Sequence, residues 1–340
     1  MLLKDDYRYS LLLFRRDGSA LGSASVTVDW EPAAEWARFY NARRGGVPLC
    51  GEGSASIEPL WDKTEGEPYM RGFRVAYASG SQKVISDFPS GYFSELAAKA
   101  SAEFVKRGKL EAGDTYLFQA VAFAKNGNGK QAEGLALEVV EEKPDLQFVE
   151  SRLDDFHRHS SPAGVVDADD MPVFIPQRVL DEAAALTRSA EGRETGGVLI
   201  GRLHHDAGLP EIFAEVSAQI PAEHTQGTAA KLTFTAETWS AASAAIRLRS
   251  EGEVYLGYWH SHPAFRWCEN CAPEKQKTCR LAKDFFSEDD VAVMRAAFPR
   301  GHSVGLVVNH TAFDLSFSLF GWREGKIQPR GFYLLEGPHA

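Results

Sequence analysis

Residues Val254 to Pro263 read VYLGYWHSHP, and this stretch decides how the second half of the chain is understood. Its apolar residues run without a break into two histidines, and Pro263 then ends the segment. A short apolar run bounded in this way reads as a buried strand. In an extended segment residues two apart share a face, so the imidazoles of His260 and His262 point the same way. Two neutral imidazoles on one face are the start of a zinc site.

Working outward, the site needs a third ligand, an open position for water and a base that is not itself a ligand. Downstream, Ser287 reads as the N-cap of a helix, with Asp290 at its third position as the acidic half of a capping box. One turn separates the two, so both can face one centre, and Asp290 is a suitable oxygen ligand. Upstream, Glu194 stands just before the paired glycines of a strand, Gly196–Leu203, and is the candidate base. Each residue also has a plainer explanation taken singly. A His-x-His can be surface polarity, Ser287 a simple cap, Asp290 a complement to the helix dipole and Glu194 a solvated turn residue. Their joint occurrence has no such explanation.

Taken in order, ETGGVLIG, YLGYWHSHP and FFSEDD resemble the Glu, His-x-His-Pro, Ser-x-x-Asp series of the JAMM metalloproteases of the JAB/MPN family. The resemblance runs from about residue 172 to 330 and takes in KLTFTAETW (231–239), where the family carries a strand and helix. It agrees with the α+β fold that strands mixed with two or three helices indicate for the C-terminal part, a mixed β-sheet flanked by helices. The N-terminal part reads from its own patterns as a separate mixed α/β domain. The resemblance implies that His260, His262 and Asp290 hold a catalytic zinc. Glu194 would move the proton of a water, and Ser287 would donate to the oxyanion, a role worth about 3 kcal/mol. The substrate class implied is an isopeptide, or a peptide bond after the C-terminus of ubiquitin or a ubiquitin-like protein. Such a tail would bind as an added strand. Activating or conjugating enzymes of the same pathway are the implied further partners. Two alternatives stay open at this point: a processing peptidase for a ubiquitin-like or sulfur-carrier precursor, and a non-catalytic MPN scaffold.

One departure stands out. His262 and Ser287 lie 25 positions apart, where the family usually spans about ten. The excess, residues 267–284 (WCENCAPEKQKTCRLAKD), holds Cys268, Cys271 and Cys279. That is three-quarters of a structural zinc site, with the fourth ligand lacking locally. The sequence leaves a second zinc, an iron–sulfur cluster and three reduced thiols as alternatives.

Composition agrees with this picture. Of 340 residues, 44% are hydrophobic and 25% charged, as in an ordinary globular protein. The formal net charge of −10 makes a poor nucleic-acid binder. No apolar run approaches the roughly 18 residues of a membrane span, and the first residues lack the pattern of a signal peptide. The cytoplasm is the expected location. All ten histidines follow residue 156 and three of four cysteines crowd into the insert, which argues for metal chemistry over a disulfide framework.

Three segments are therefore expected: an N-terminal accessory domain over 1–145, a linker over 146–170 and the metalloprotease domain over 171–340. The linker is read from its Pro, Ser, Asp and His and its lack of periodicity. Within the first segment, Tyr9–Phe14, Ala24–Trp30 and Thr115–Ala124 read as strands and Gly91–Arg107 as a helix. Gly45–Gly53 and Ser79–Ser90 read as loops. In the third, Pro176 opens a helix to about Ser189. Further strands are expected at Ile212–Ile220, Lys231–Thr235, His302–Val308 and Ala312–Phe320, with a helix beginning near Ala236.

Overall fold

The computed structural model describes residues 1–46, 53–61, 69–125, 146–222, 234–249, 252–272, 275 and 285–336. The chain divides into two compact units, the first comprising Met1–Ala42 and Gly46–Asp145 and the second Arg43–Gly45 and Leu146–Ala340.

Unit 1 contains β1 (Leu2–Asp5), β2 (Tyr7–Arg15), β3 (Ala20–Val26), α1 (Glu31–Arg43), β4 (Ser54–Trp61), β5 (Met70–Ser79), β6 (Gln82–Pro89), α2 (Ser94–Lys106) and β7 (Tyr116–Ala124). The sheet order is β1-β4-β5-β7-β2-β3, with β6 also on β5. Leu11 and Leu13 of β2 are fully buried, as two-residue alternation requires, and Phe73 and Val75 of β5 are fully buried within a strand that is buried along most of its length. The expected strand Ala24–Trp30 is shifted: β3 ends at Val26, and Trp30 turns inward against Tyr9, Phe73 and Phe93. Ser79–Ser90, read as a loop, is mostly β6. Its exposed Gln82, Lys83 and Asp87 give it the polar surface of an outer strand, which hides the strand signal. The loop expected over Gly45–Gly53 falls mainly outside the described residues.

Unit 2 contains β8 (Phe148–Ser151), α3 (Leu153–Arg158), β9 (Ser160–Ala163), β10 (Val173–Pro176), α4 (Gln177–Ser189), β11 (Gly196–Asp206), β12 (Ile212–Pro221), α5 (Ala236–Arg249), β13 (Val254–His262), α6 (Ala264–Trp267), α7 (Glu288–Ala297), β14 (Val304–His310), β15 (Leu315–Arg323), β16 (Lys326–Arg330) and β17 (Phe332–Leu335). The mixed sheet runs β16-β15-β14-β13-β11-β12-β10-β17-β9, with β8 also on β11. Helices flank it, so the α+β architecture expected from the sequence is the one found.

The composition-based linker is a correction. Residues 146–170 are built into unit 2: β8 pairs with β11 in parallel and β9 pairs with β17 antiparallel. Both are four-residue strands whose pairing is long-range in sequence, and so neither leaves a periodic trace of its own. Residues 231–233 of the expected strand Lys231–Thr235 lie outside the described residues, and Phe234–Thr235 lead into α5.

The sheet positions the site through β13, which is central. It pairs antiparallel with β11 and parallel with β14. Tyr258, His260 and His262 share one face and Trp259 and Ser261 the other. On the second face the Trp259 indole donates to Gln219 (3.1 Å), and the Gln219 amide donates to Glu182 of α4 (3.1 Å). That chain of bonds ties β13 to β12 and a helix, fixing the strand's rotation. Gly197 is required there: a Cβ would lie 2.5 Å from the Ile220 carbonyl oxygen and 2.6 Å from the Trp259 nitrogen. On the first face Phe298, just past α7, stacks on Tyr258 with ring centroids 5.6 Å apart.

Candidate metal centre

The two histidines end β13, where both side chains are buried. Their Nε2 atoms lie 3.0 Å apart, and Asp290 Oδ1 is 3.1 Å from His260 Nε2. Asp290 Oδ2 is 3.9 Å from His262 Nε2. Among the described residues these three are the group whose ligand atoms converge as a metal site requires. A tetrahedral zinc with bonds of about 2.0–2.1 Å sets its ligand atoms about 3.3 Å apart, so the donor set fits that ion. Two imidazoles and one carboxylate also leave the fourth position open, the pattern of a catalytic centre.

Asp290 reaches the histidines because α7 starts beside them. Ser287 caps the helix: its Oγ accepts from the Asp290 amide (3.1 Å), and Asp290 Oδ2 accepts from the Ser287 amide (2.7 Å). The capping box expected from the sequence is therefore also the device that orients the Asp290 carboxylate toward the histidines, since one carboxylate oxygen is held by the cap and the other faces His260. Tyr258 adds to this by donating its hydroxyl to the Asp290 carbonyl oxygen (3.3 Å).

Protonation is preset for cation binding. Burial, and then the charge of His260, hold His262 down at about 3, so its imidazole is neutral. Burial pushes the Asp290 carboxyl up, but the bond to His260, the charge of His260 and the bonds to Ser287 outweigh it, leaving it at about 2. A neutral imidazole and an ionised carboxylate are the forms that bind a metal, so at neutral pH these two side chains have no proton to shed to a cation.

Glu194 is half-buried just before β11. Its neighbour Thr195 is pinned to the residue between the histidines: the Thr195 amide donates to Ser261 Oγ (3.0 Å) and the Ser261 amide donates to the Thr195 carbonyl (2.8 Å). With Gly196 opposite His260 in the ladder, Glu194 is carried to the histidine end of β13. Burial raises its carboxyl to about 7, the positive influence of His260 opposes this, and the charges of Asp290 and Asp289 add to it. A carboxyl poised near neutrality is suited to take and return a proton.

That shift has a thermodynamic consequence for the metal-free protein. A carboxyl raised in the folded state contributes stability that is present below its unfolded value of about 4.3 and is lost as pH rises through about 7. Glu194→Gln has no such loss. Metal-free Glu194→Gln is expected to gain on wild type in thermal midpoint as pH goes from 5 to 8. A constant difference across that range, measured by circular dichroism, would contradict the burial described here.

Sequence reasoning did not find the aromatic collar. Tyr258 and Phe286 flank His260, with ring centroids 5.4 and 6.0 Å away. Phe285 stacks on His262 at 4.4 Å and Trp267 sits at 5.1 Å. The signal available was the FF pair immediately before the serine. In the insert, Cys268 is buried and Cys271 half-buried, while Cys279 lies outside the described residues. Among the described residues no cysteine joins a metal-capable group.

Residues 176–266 match a family model described as prokaryotic homologs of the JAB domain. The C-terminal unit carries a JAB domain. The match takes in Glu194, His260 and His262 and stops where the insert begins, before Ser287 and Asp290. What joins those two to the JAB domain's histidines is their placement at the head of α7. Comparison with curated proteins finds no match. Among solved structures, the chain is similar to the solution structure of protein DSY2949 from Desulfitobacterium hafniense, at 20% identity and a TM-score of 0.34, over 49% of this chain and 96% of that one. Among the described residues, no helix is long and apolar enough to cross a membrane.

Proposed function

We propose that the JAB domain is a zinc-dependent peptidase of the JAMM type, acting on the bond that follows the C-terminus of a ubiquitin or ubiquitin-like protein. The observation that carries this reading is the convergence of His260, His262 and Asp290 beside a half-buried carboxyl at about 7. These are the ligand set and the base of one hydrolytic centre.

A zinc ion held by the three side chains would supply Lewis acidity, bringing a water's pKa from 15.7 to about 7. Glu194 takes a proton from the attacking water and delivers it to the departing amine nitrogen as the C–N bond breaks. The Ser287 hydroxyl uses its oxygen to cap α7, so its hydrogen is available to donate to the carbonyl oxygen as that oxygen becomes negative. The aromatic collar excludes water around the ligands, which strengthens these interactions. A scaffold would have no use for this complete set. The substrate class rests on the resemblance of the motifs. The insert cysteines, Cys268, Cys271 and Cys279, extend the reading to a second, structural zinc, supported by their spacing alone.

The test uses the full chain with ubiquitin-like proteins carrying an isopeptide-linked lysine or a linear extension after the terminal glycines. Cleavage that stops on chelation and returns with zinc is the expected result. A zinc-loaded protein that cleaves none of these would remove the substrate class and leave the metal centre standing.

A further inference from the structure

The metal-ligand rings of this site are held in an unusual way. Imidazoles that bind metals ordinarily donate through their second nitrogen to a carboxylate, a carbonyl or water, and that bond fixes the ring. Here Nδ1 of both His260 and His262 is buried and bonds to no described residue. Something else must set the orientation that brings the Nε2 atoms to 3.0 Å.

Packing does so, and most closely at His262. Phe285 lies nearly parallel to its ring, with an interplanar angle of 29° and centroids 4.4 Å apart. Trp267 approaches the same ring at 5.1 Å and 52°. The two aromatics also meet each other at 5.9 Å. They are 18 positions apart in sequence and bracket the insert, Trp267 as its first residue and Phe285 immediately after its last. Trp267 is fixed in turn as the last residue of α6, whose final turn is closed by the Cys268 amide donating to the Ala264 carbonyl (3.0 Å). Phe285 is fixed by standing two residues before the capped start of α7.

From this geometry we infer that Trp267 and Phe285 are positioning residues that form an aromatic clasp on His262, so that the two ends of the insert set the metal affinity of the site. Aromatic pairs of this kind contribute beyond their buried area. The clasp orders His262 before the metal arrives, so the free energy of binding is not spent on fixing the ring. The insert thereby acts on the centre through its base, whatever its own cysteines bind. This inference rests on the metal reading above.

The experiment measures zinc affinity by competition with a chromophoric chelator on the full-length protein, for wild type, Phe285→Leu, Trp267→Leu and Phe285→Tyr. Phe285→Leu and Trp267→Leu should each weaken zinc binding by about tenfold or more, the range typical of losing a residue that orients a ligand. Phe285→Tyr keeps the ring and should bind as wild type does. Because both side chains are only half-buried, the metal-free thermal midpoint of each variant serves as the folding control and should stay near wild type. Equal affinity in wild type and both leucine variants would overturn the clasp while leaving the metal centre intact. Weakening by Phe285→Tyr equal to that of Phe285→Leu would overturn it too, since the ring would then be irrelevant. A wild type that takes no zinc would overturn the metal reading and the clasp with it.

Discussion

Glu194→Gln should bind zinc as wild type does and lose hydrolysis by about 10²- to 10⁴-fold, the range that general acid–base groups contribute. The substitution keeps the shape of the side chain and removes only its ability to carry a proton. The backbone that carries residue 194 is held by bonds that do not involve its side chain, namely those between Thr195 and Ser261. The fold should therefore survive, and above pH 7 the metal-free variant should be no less stable than wild type. Steady-state kinetics together with zinc content settle the matter. Undiminished cleavage with zinc bound would mean that another group moves the proton.

The second large effect is expected at Asp290. Its carboxylate has two jobs, one oxygen facing His260 and the other accepting from the Ser287 amide. Asp290→Ala removes both. The loss of a direct ligand should weaken zinc binding by more than the roughly 100-fold that the loss of an outer partner can cost. The broken capping box should also lower the stability of the metal-free protein, by about 1 kcal/mol. Ser287→Ala separates the two jobs. It loses the cap at a similar cost in stability, keeps all three ligands and should still bind zinc. If Asp290→Ala retained wild-type affinity, Asp290 would be a helix cap and nothing more.

The site was legible in the sequence to a degree that the fold around it was not. Strand alternation and helix caps leave short, local signatures. His260 and His262 share a face because a strand has a period of two, and Ser287 and Asp290 share an end because a capping box has a fixed spacing. The sequence could not show what brings these pieces together across the insert. That depends on α7 starting beside the end of β13, a matter of tertiary packing. Elements with no local signature were missed for related reasons. β5 is buried along most of its length and so does not alternate, β6 carries the polar surface of an outer strand, and β8 and β9 are strands only because β11 and β17 pair with them. In 146–170 the composition of a linker was real, but composition records exposure and says little about pairing. The aromatic collar escaped for a different reason: Phe285, Phe286 and Trp267 look like any apolar residues until the histidines they touch are known.

The central claim is that His260, His262 and Asp290 form one metal centre. It is tested most directly by zinc content per chain after exhaustive dialysis, in a protein whose three insert cysteines, Cys268, Cys271 and Cys279, have been replaced by serine so that the insert cannot contribute. One equivalent in that protein, and none once His262→Ala is added, is the predicted result. No zinc in the first, or one equivalent remaining in the second, would contradict it.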